Sequence, residues 1–198
     1  MVVISKRDYK IDLLLEKGMD LLWAKGYNAT SVNDIVKAAK VPKGSFYFYF
    51  ESKDDFVLKA LDRYFNDMIA PAIKILHEEG KSPKERLFNF YDHRVTMLKE
   101  ELECQRGCMA CNLSSEVAEH NDLIWMKVQG FHKKVIEELV NVVEEAQKAG
   151  EISTKQSPRD LVEFVEDVGK GAMVSMKELR SAYPIDNAMN IIKTILLK

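Results

Sequence analysis

The chain has 198 residues, 46% of them hydrophobic and 30% charged, with a net charge of −2 at pH 7. This is the composition of an ordinary globular protein, and it excludes both a disordered chain and a helical membrane protein, because no apolar run approaches the roughly 18 residues a span needs. Residues 1–50 carry a net +3 and the remainder −5, so a mildly basic head precedes an acidic body, a distribution compatible with a polyanion at the head.

The opening residues, MVVISKRDYK, contain no long apolar segment of the secretory kind, and three cysteines are an odd number for a disulfide framework. A cytoplasmic location is therefore expected. Ile11, Leu14, Leu15, Gly18 and Leu22 fall on one stripe of a helix over roughly residues 6–25, which Gly26 should end in the C′ position. Four Ser residues each precede an acid by three positions: Ser31/Asp34, Ser52/Asp55, Ser82/Glu85 and Ser157/Asp160. Each pair reads as a capping box, the last two with Pro83 and Pro158 at the first helical position. No hairpin dipeptide and no sustained alternation interrupts this pattern, so the fold class is all-α. About nine helices are predicted, over roughly residues 6–25, 31–39, 42–48, 52–79, 83–102, 109–119, 121–149, 158–181 and 185–197. The one domain join the pattern offers lies in the long helix after Ser52, which also holds Pro71 as a kink, and it divides residues 1–51 from 52–198.

Within the head, Val32, Ile35, Val36 and Ala39 form the buried stripe of a short helix, and Val41 closes a tight turn into a second. That second helix holds the aromatic run Phe46–Phe50. Phe46 and Phe50 are four apart and face inward together. Lys43, Ser45, Tyr47 and Tyr49 are left on other faces, and these carry an ammonium, a hydroxyl and two phenols, donors that suit phosphates and base edges. The spacing is that of a helix-turn-helix with residues 42–48 as the recognition helix.

The stretch TSVNDIVKAAKVPKGSFYFYFESKDDFVLKAL, residues 30–61, resembles the signature of the TetR/AcrR family of bacterial transcriptional regulators. The resemblance implies three N-terminal helices forming a DNA-binding domain, followed by a C-terminal helical ligand-binding and dimerisation domain. It implies a homodimer on a double-stranded operator, released by a small-molecule inducer, with no cofactor. Carried over residue by residue, it makes Ser31 a helix cap that also meets a phosphate. Lys43, Gly44 and Ser45 form the base-reading start of the recognition helix, Tyr47 and Tyr49 are DNA contacts, and Lys53 sits on a phosphate. Two positions depart from the family pattern. Lys40 stands where the turn usually has Gly, and a left-handed residue there costs a lysine roughly 1 kcal/mol. Pro42 stands where a Ser or Thr usually caps the helix, and proline offers no capping side chain.

The stretch ECQRGCMACNLSSE, residues 103–116, places Cys104, Cys108 and Cys111 at an interruption of the helices, with Gly107 making the turn. Three readings stand side by side: small thiols packed at a helix start, a redox or electrophile sensor with Cys108 activated by a helix N-terminus and Arg106, or a metal site. The second draws on relatives of the family with a similar stretch that respond to electrophiles. The third lacks a second ligand pair, the four histidines being scattered, so no metal is expected. Tyr91, Arg94 and Leu98 share one helix face and Trp125, Gln129 and His132 another; with Cys108 they are the candidate ligand-binding residues, a few polar groups among apolar walls. Leu161, Phe164, Val165, Val168, Ala172, Met173 and Met176 line one long stripe and Ala188, Ile191, Ile192, Ile195 and Leu196 another, which two subunits could join in a four-helix bundle. No nucleophile elbow, phosphate loop or paired-carboxylate motif appears, so no enzyme is expected; a cysteine-based redox sensor and a helical protein-binding adaptor are the alternatives.

Overall fold

The computed structural model describes residues 6–196, with the side chains of Lys6, Ile195 and Leu196 outside the description. In chain order the elements are α1 (Lys6–Lys25), α2 (Val32–Ala38), α3 (Lys43–Tyr49), α4 (Lys53–Tyr64), a π-helical turn (Phe65–Ile69) and α5 (Ala70–Ile75). There follow α6 (Pro83–Thr96) with a π-helical turn (Met97–Glu101), α7 (Met109–Val117), α8 (Asp122–Lys148), α9 (Pro158–Leu179) and α10 (Tyr183–Ile191) with a third π-helical turn (Ile192–Leu196). No strand occurs among the described residues, and no described helix is long and apolar enough to cross a membrane.

Helix ends follow the local chemistry. All four serines accept the backbone N–H three residues on. The box is reciprocal at Ser31 and Ser82; at Ser52 the Asp55 carboxylate instead accepts the N–H of Glu51, at 3.0 Å. Gly26 ends α1 in the left-handed region, φ +83°, where a side chain would be strained. Pro71 has no N–H to offer the carbonyl four residues back, and the helix immediately before it widens to π geometry. The expected helix to residue 79 stops at Ile75: Glu78 and Glu79 would place two negative charges at the negative end of the helix dipole. Gly107 is not the turn residue expected at the cysteines. Glu103 and Cys104 take the left-handed conformations there, while Gly107 is buried against Lys177 and Met173.

The chain divides into two compact units, Met1–Asp67 with Met109–Gln129 and Met68–Cys108 with Gly130–Lys198. In the first, Phe46, Phe50 and Phe56 stack with ring centroids 5.0 to 5.5 Å apart and are almost wholly buried. Gly18 is required by this packing, since an added Cβ would lie 2.3 Å from the Phe56 ring. In the second, Leu76, Leu87, Phe90, Leu139, Val143 and Val162 are core. The α9 stripe expected at a subunit interface is largely consumed here: Leu161, Val165, Met173 and Met176 are buried within their own unit. The outer face of α9 carries Phe164, Gly171 and Val174, and α10 ends on the exposed Ile191 while Ile192, in the π-helical turn that follows, is buried.

Candidate nucleic-acid interface and ligand cavity

The turn between α2 and α3 is held by the N–H of Val41, which donates to the Val36 carbonyl at 3.0 Å, with Lys40 between them at φ +53°. The chain thus accepts a lysine in the left-handed region the turn demands. Pro42 begins α3 with φ −60°, ψ 145° and no side-chain cap, as its chemistry dictates. With Phe46 and Phe50 pinned beneath, α3 is oriented so that Lys43, Gly44 and Tyr47 are exposed, while Ser45 and Tyr49 are half-buried. Tyr47 is 55% exposed and Phe48, which sequence reasoning left out, 71%. The helical register carried that signal, because residues 44, 47 and 48 share one face. Ser31 lies at the start of α2, exposed, its hydroxyl donating to Asp34 Oδ2 at 2.6 Å and accepting the Asp34 N–H at 3.2 Å.

Lys53 is half-buried and occupied. Its Nζ donates to the Tyr27 carbonyl at 2.5 Å and lies 3.9 Å from the centroid of the Tyr27 ring. Burial pulls this ammonium below the usual lysine range, against the opposing charges of Asp54 and Glu116. The Tyr27 hydroxyl donates to Asp54 Oδ1 at 2.5 Å; burial first, then this bond, push the phenol up to about 12. From α7, Glu116 accepts the N–H of Tyr27 and of Asn28, each at 2.7 Å. The α1–α2 loop is therefore held from two sides, and neither Tyr27 nor Glu116 was visible as functional in the sequence.

In the second unit, a cavity of ≈ 50 Å³ lies between α6, α9 and α10, lined by the apolar Val95, Leu98, Met173, Ile185 and Met189 and by the polar Tyr91, Arg94 and Glu166. Arg94 Nη1 donates to Glu166 Oε1 at 2.7 Å, and the guanidinium lies 5.3 Å from the Phe90 ring centroid. Burial and the adjacent Glu166 carboxylate raise the Tyr91 phenol well above its ordinary value. Burial works against the Arg94 cation, and the Glu166 charge and hydrogen bond outweigh it. Glu166 is the polar residue the sequence reading missed; it sits on a stripe that otherwise reads as apolar. Of the expected ligand residues, Tyr91 and Arg94 line this cavity and Cys108, Trp125, Gln129 and His132 do not. Cys108 is half-buried against the cluster of Leu98, Met173, Met176 and Ile185, within electrostatic reach of Arg94. Trp125 and Gln129 are exposed on α8. His132 Nε2 lies 3.2 Å from Lys170 Nζ, and burial followed by that cation lowers its pKa. Among the described residues no three His, Cys, Asp or Glu side chains converge as a metal set.

Comparison with known proteins bears on both regions. Residues 14–60 match the family described as bacterial regulatory proteins, tetR family, and residues 83–192 match the tetracyclin repressor-like C-terminal domain. The chain is 30% identical to the HTH-type transcriptional repressor DhaR of Mycobacterium sp. strain GP1, over 93% of this chain and 90% of that protein. It is 33% identical to the transcriptional regulator AcuR of Cereibacter sphaeroides, over 84% and 76% respectively. Among solved structures, a regulatory protein TetR from Rhodobacter sphaeroides superposes with a TM-score of 0.82 at 28% identity, covering 90% of this chain and 94% of that one. The reduced form of Escherichia coli NemR superposes with a TM-score of 0.82 at 24% identity, covering 94% and 96%, a likeness of fold.

Proposed function

The chain belongs to the TetR family of bacterial regulatory proteins, and from that premise we propose that it is a repressor which holds a palindromic operator as a homodimer and releases it when a small molecule occupies the cavity at Tyr91, Arg94 and Glu166. The observation that carries this reading is the outward face of α3: Lys43, Gly44 and Tyr47 exposed above a rigid floor of Phe46 and Phe50. A short helix clamped in this way presents its side chains in one fixed geometry, which base recognition requires. Lys43 and Ser45 read base edges, Tyr47 and Tyr49 donate to bases or phosphates, and the Ser31 turn sits on a phosphate. An ammonium has three donors, so Lys53 can reach a phosphate while one N–H stays on Tyr27.

Residues 1–51 form the DNA-binding part and 52–198 the ligand-binding and dimerising part. The dimer forms through α9 and α10, and the exposed Phe164, Gly171, Val174 and Ile191 supply the apolar contact. Two recognition helices then enter successive major grooves about 34 Å apart. The inducer has an apolar body and one polar group that engages the Arg94–Glu166 pair in the cavity wall. Relatives named as repressors support repression over activation. The action is binding, without chemistry on the ligand.

Selection of bound duplexes from a random pool tests the proposal. A single palindrome should be recovered, bound more weakly as salt rises, with binding reduced in Lys43→Ala and Tyr47→Phe. Recovery of no preferred duplex overturns it.

A further inference from the structure

Two features of α3 have no explanation inside the protein. Phe48 is the most exposed large apolar side chain described in the molecule, at 71%, so most of its ring is left in water by folding. Its described neighbours are the edge of Tyr49, at 5.1 Å between centroids, and the guanidinium of Arg7, 5.9 Å from the ring centroid. One turn earlier, Gly44 is the second residue of α3, outside the left-handed region, and a Cβ there would meet nothing within 4 Å. Glycine loses more backbone freedom on folding there than alanine would. Neither backbone conformation nor internal packing calls for it, and bare backbone there permits close approach by a partner.

Residues 44, 47 and 48 share one face, so the missing side chain of Gly44 leaves bare backbone on the face that carries the exposed Tyr47 and Phe48. No acid lies on α3, and its one cation is Lys43. An exposed apolar ring beside bare backbone on a helix that enters the major groove matches one feature of that groove: the C5-methyl group of thymine, the apolar element of the base-edge code. Arg7 beside the ring supplies a cation for an adjacent phosphate.

We propose that Phe48 is a specificity-determining residue which, with the close approach that Gly44 permits, receives the C5-methyl group of a thymine in each operator half-site. The proposal rests on reading α3 as the recognition helix.

The test uses the full chain and the duplex recovered by selection. Each thymine is replaced in turn by deoxyuridine, which removes the methyl group and keeps every hydrogen-bonding atom, and Kd is measured by fluorescence anisotropy at fixed salt. At one or two thymines per half-site the natural chain should lose about fourfold in affinity, the value of one buried methyl. At those positions Phe48→Ala should bind thymine and uracil duplexes equally, while Phe48→Leu keeps part of the discrimination. Gly44→Ala should bind the operator at least tenfold more weakly with an unchanged or higher Tm. The proposal is overturned if no thymine shows the loss, if Phe48→Ala retains it undiminished, or if Gly44→Ala binds as the natural chain does. In each of these outcomes a selected operator still binds, which separates this failure from failure of the DNA-binding reading itself.

Discussion

Both carboxylate oxygens of Glu116 are taken up by one stretch of backbone: Oε2 accepts the N–H of Tyr27 and Oε1 that of Asn28, each at 2.7 Å. The two donors lie 89 and 88 residues away in sequence. Gly26, just before them, lies so close that a Cβ there would meet Oε2 at 2.3 Å. The loop so held leads directly into the Ser31 cap of α2. Glu116→Ala should cost about 1–2 kcal/mol in urea unfolding, since two N–H groups lose a charged acceptor and water only partly replaces it. Glu116→Gln should lie between, because its amide oxygen accepts one bond while its NH₂ faces the other donor. Operator affinity should fall in the same order, measured by anisotropy with folded fractions matched.

Lys40→Gly should stabilise the protein by up to about 1 kcal/mol. The left-handed strain at φ +53° is relieved, offset in part by the greater freedom of glycine in the unfolded chain. The unfolding midpoint in urea reads this directly, and operator affinity should be unchanged because Lys40 is assigned no DNA contact.

Gly18→Ala acts in the opposite direction. The added methyl would lie 2.3 Å from the ring of Phe56, which is itself locked against Phe46 and Phe50. A loss of about 1–3 kcal/mol is expected, with the Tm as the readout.

Glu166→Ala leaves the Arg94 cation without its partner in the cavity wall. A loss of about 2–4 kcal/mol is expected, reduced from the fully buried case because the Arg94 side chain is 27% exposed. Glu166→Gln keeps a hydrogen-bond acceptor and should lose about half as much. Calorimetric unfolding of the three forms checks the order.

His132 should make stability fall on the acid side. Its folded pKa is lowered, by burial and then by Lys170, so the unfolded chain binds the proton more readily. The contribution is whole above the ordinary value of about 6.5 and is lost as pH falls from there through the folded pKa. His132→Gln should flatten that part of the stability curve, measured by urea unfolding between about pH 7 and pH 5.

What the sequence determined by itself was the local order: all-helical elements, four serine caps, the left-handed turn at Lys40, the uncapped start at Pro42, and Phe46 and Phe50 facing inward. Each depends on residues within about four positions of one another, where backbone geometry leaves few alternatives. Tertiary structure alone decided that Glu116 grips the Tyr27 loop, that Arg94 meets Glu166 across 72 residues, and that Leu161, Val165, Met173 and Met176 face inward on α9. An amphipathic stripe shows that a helix has an inside but not which neighbour supplies it, and a buried carboxylate is tolerated only where packing brings a cation within hydrogen-bonding distance.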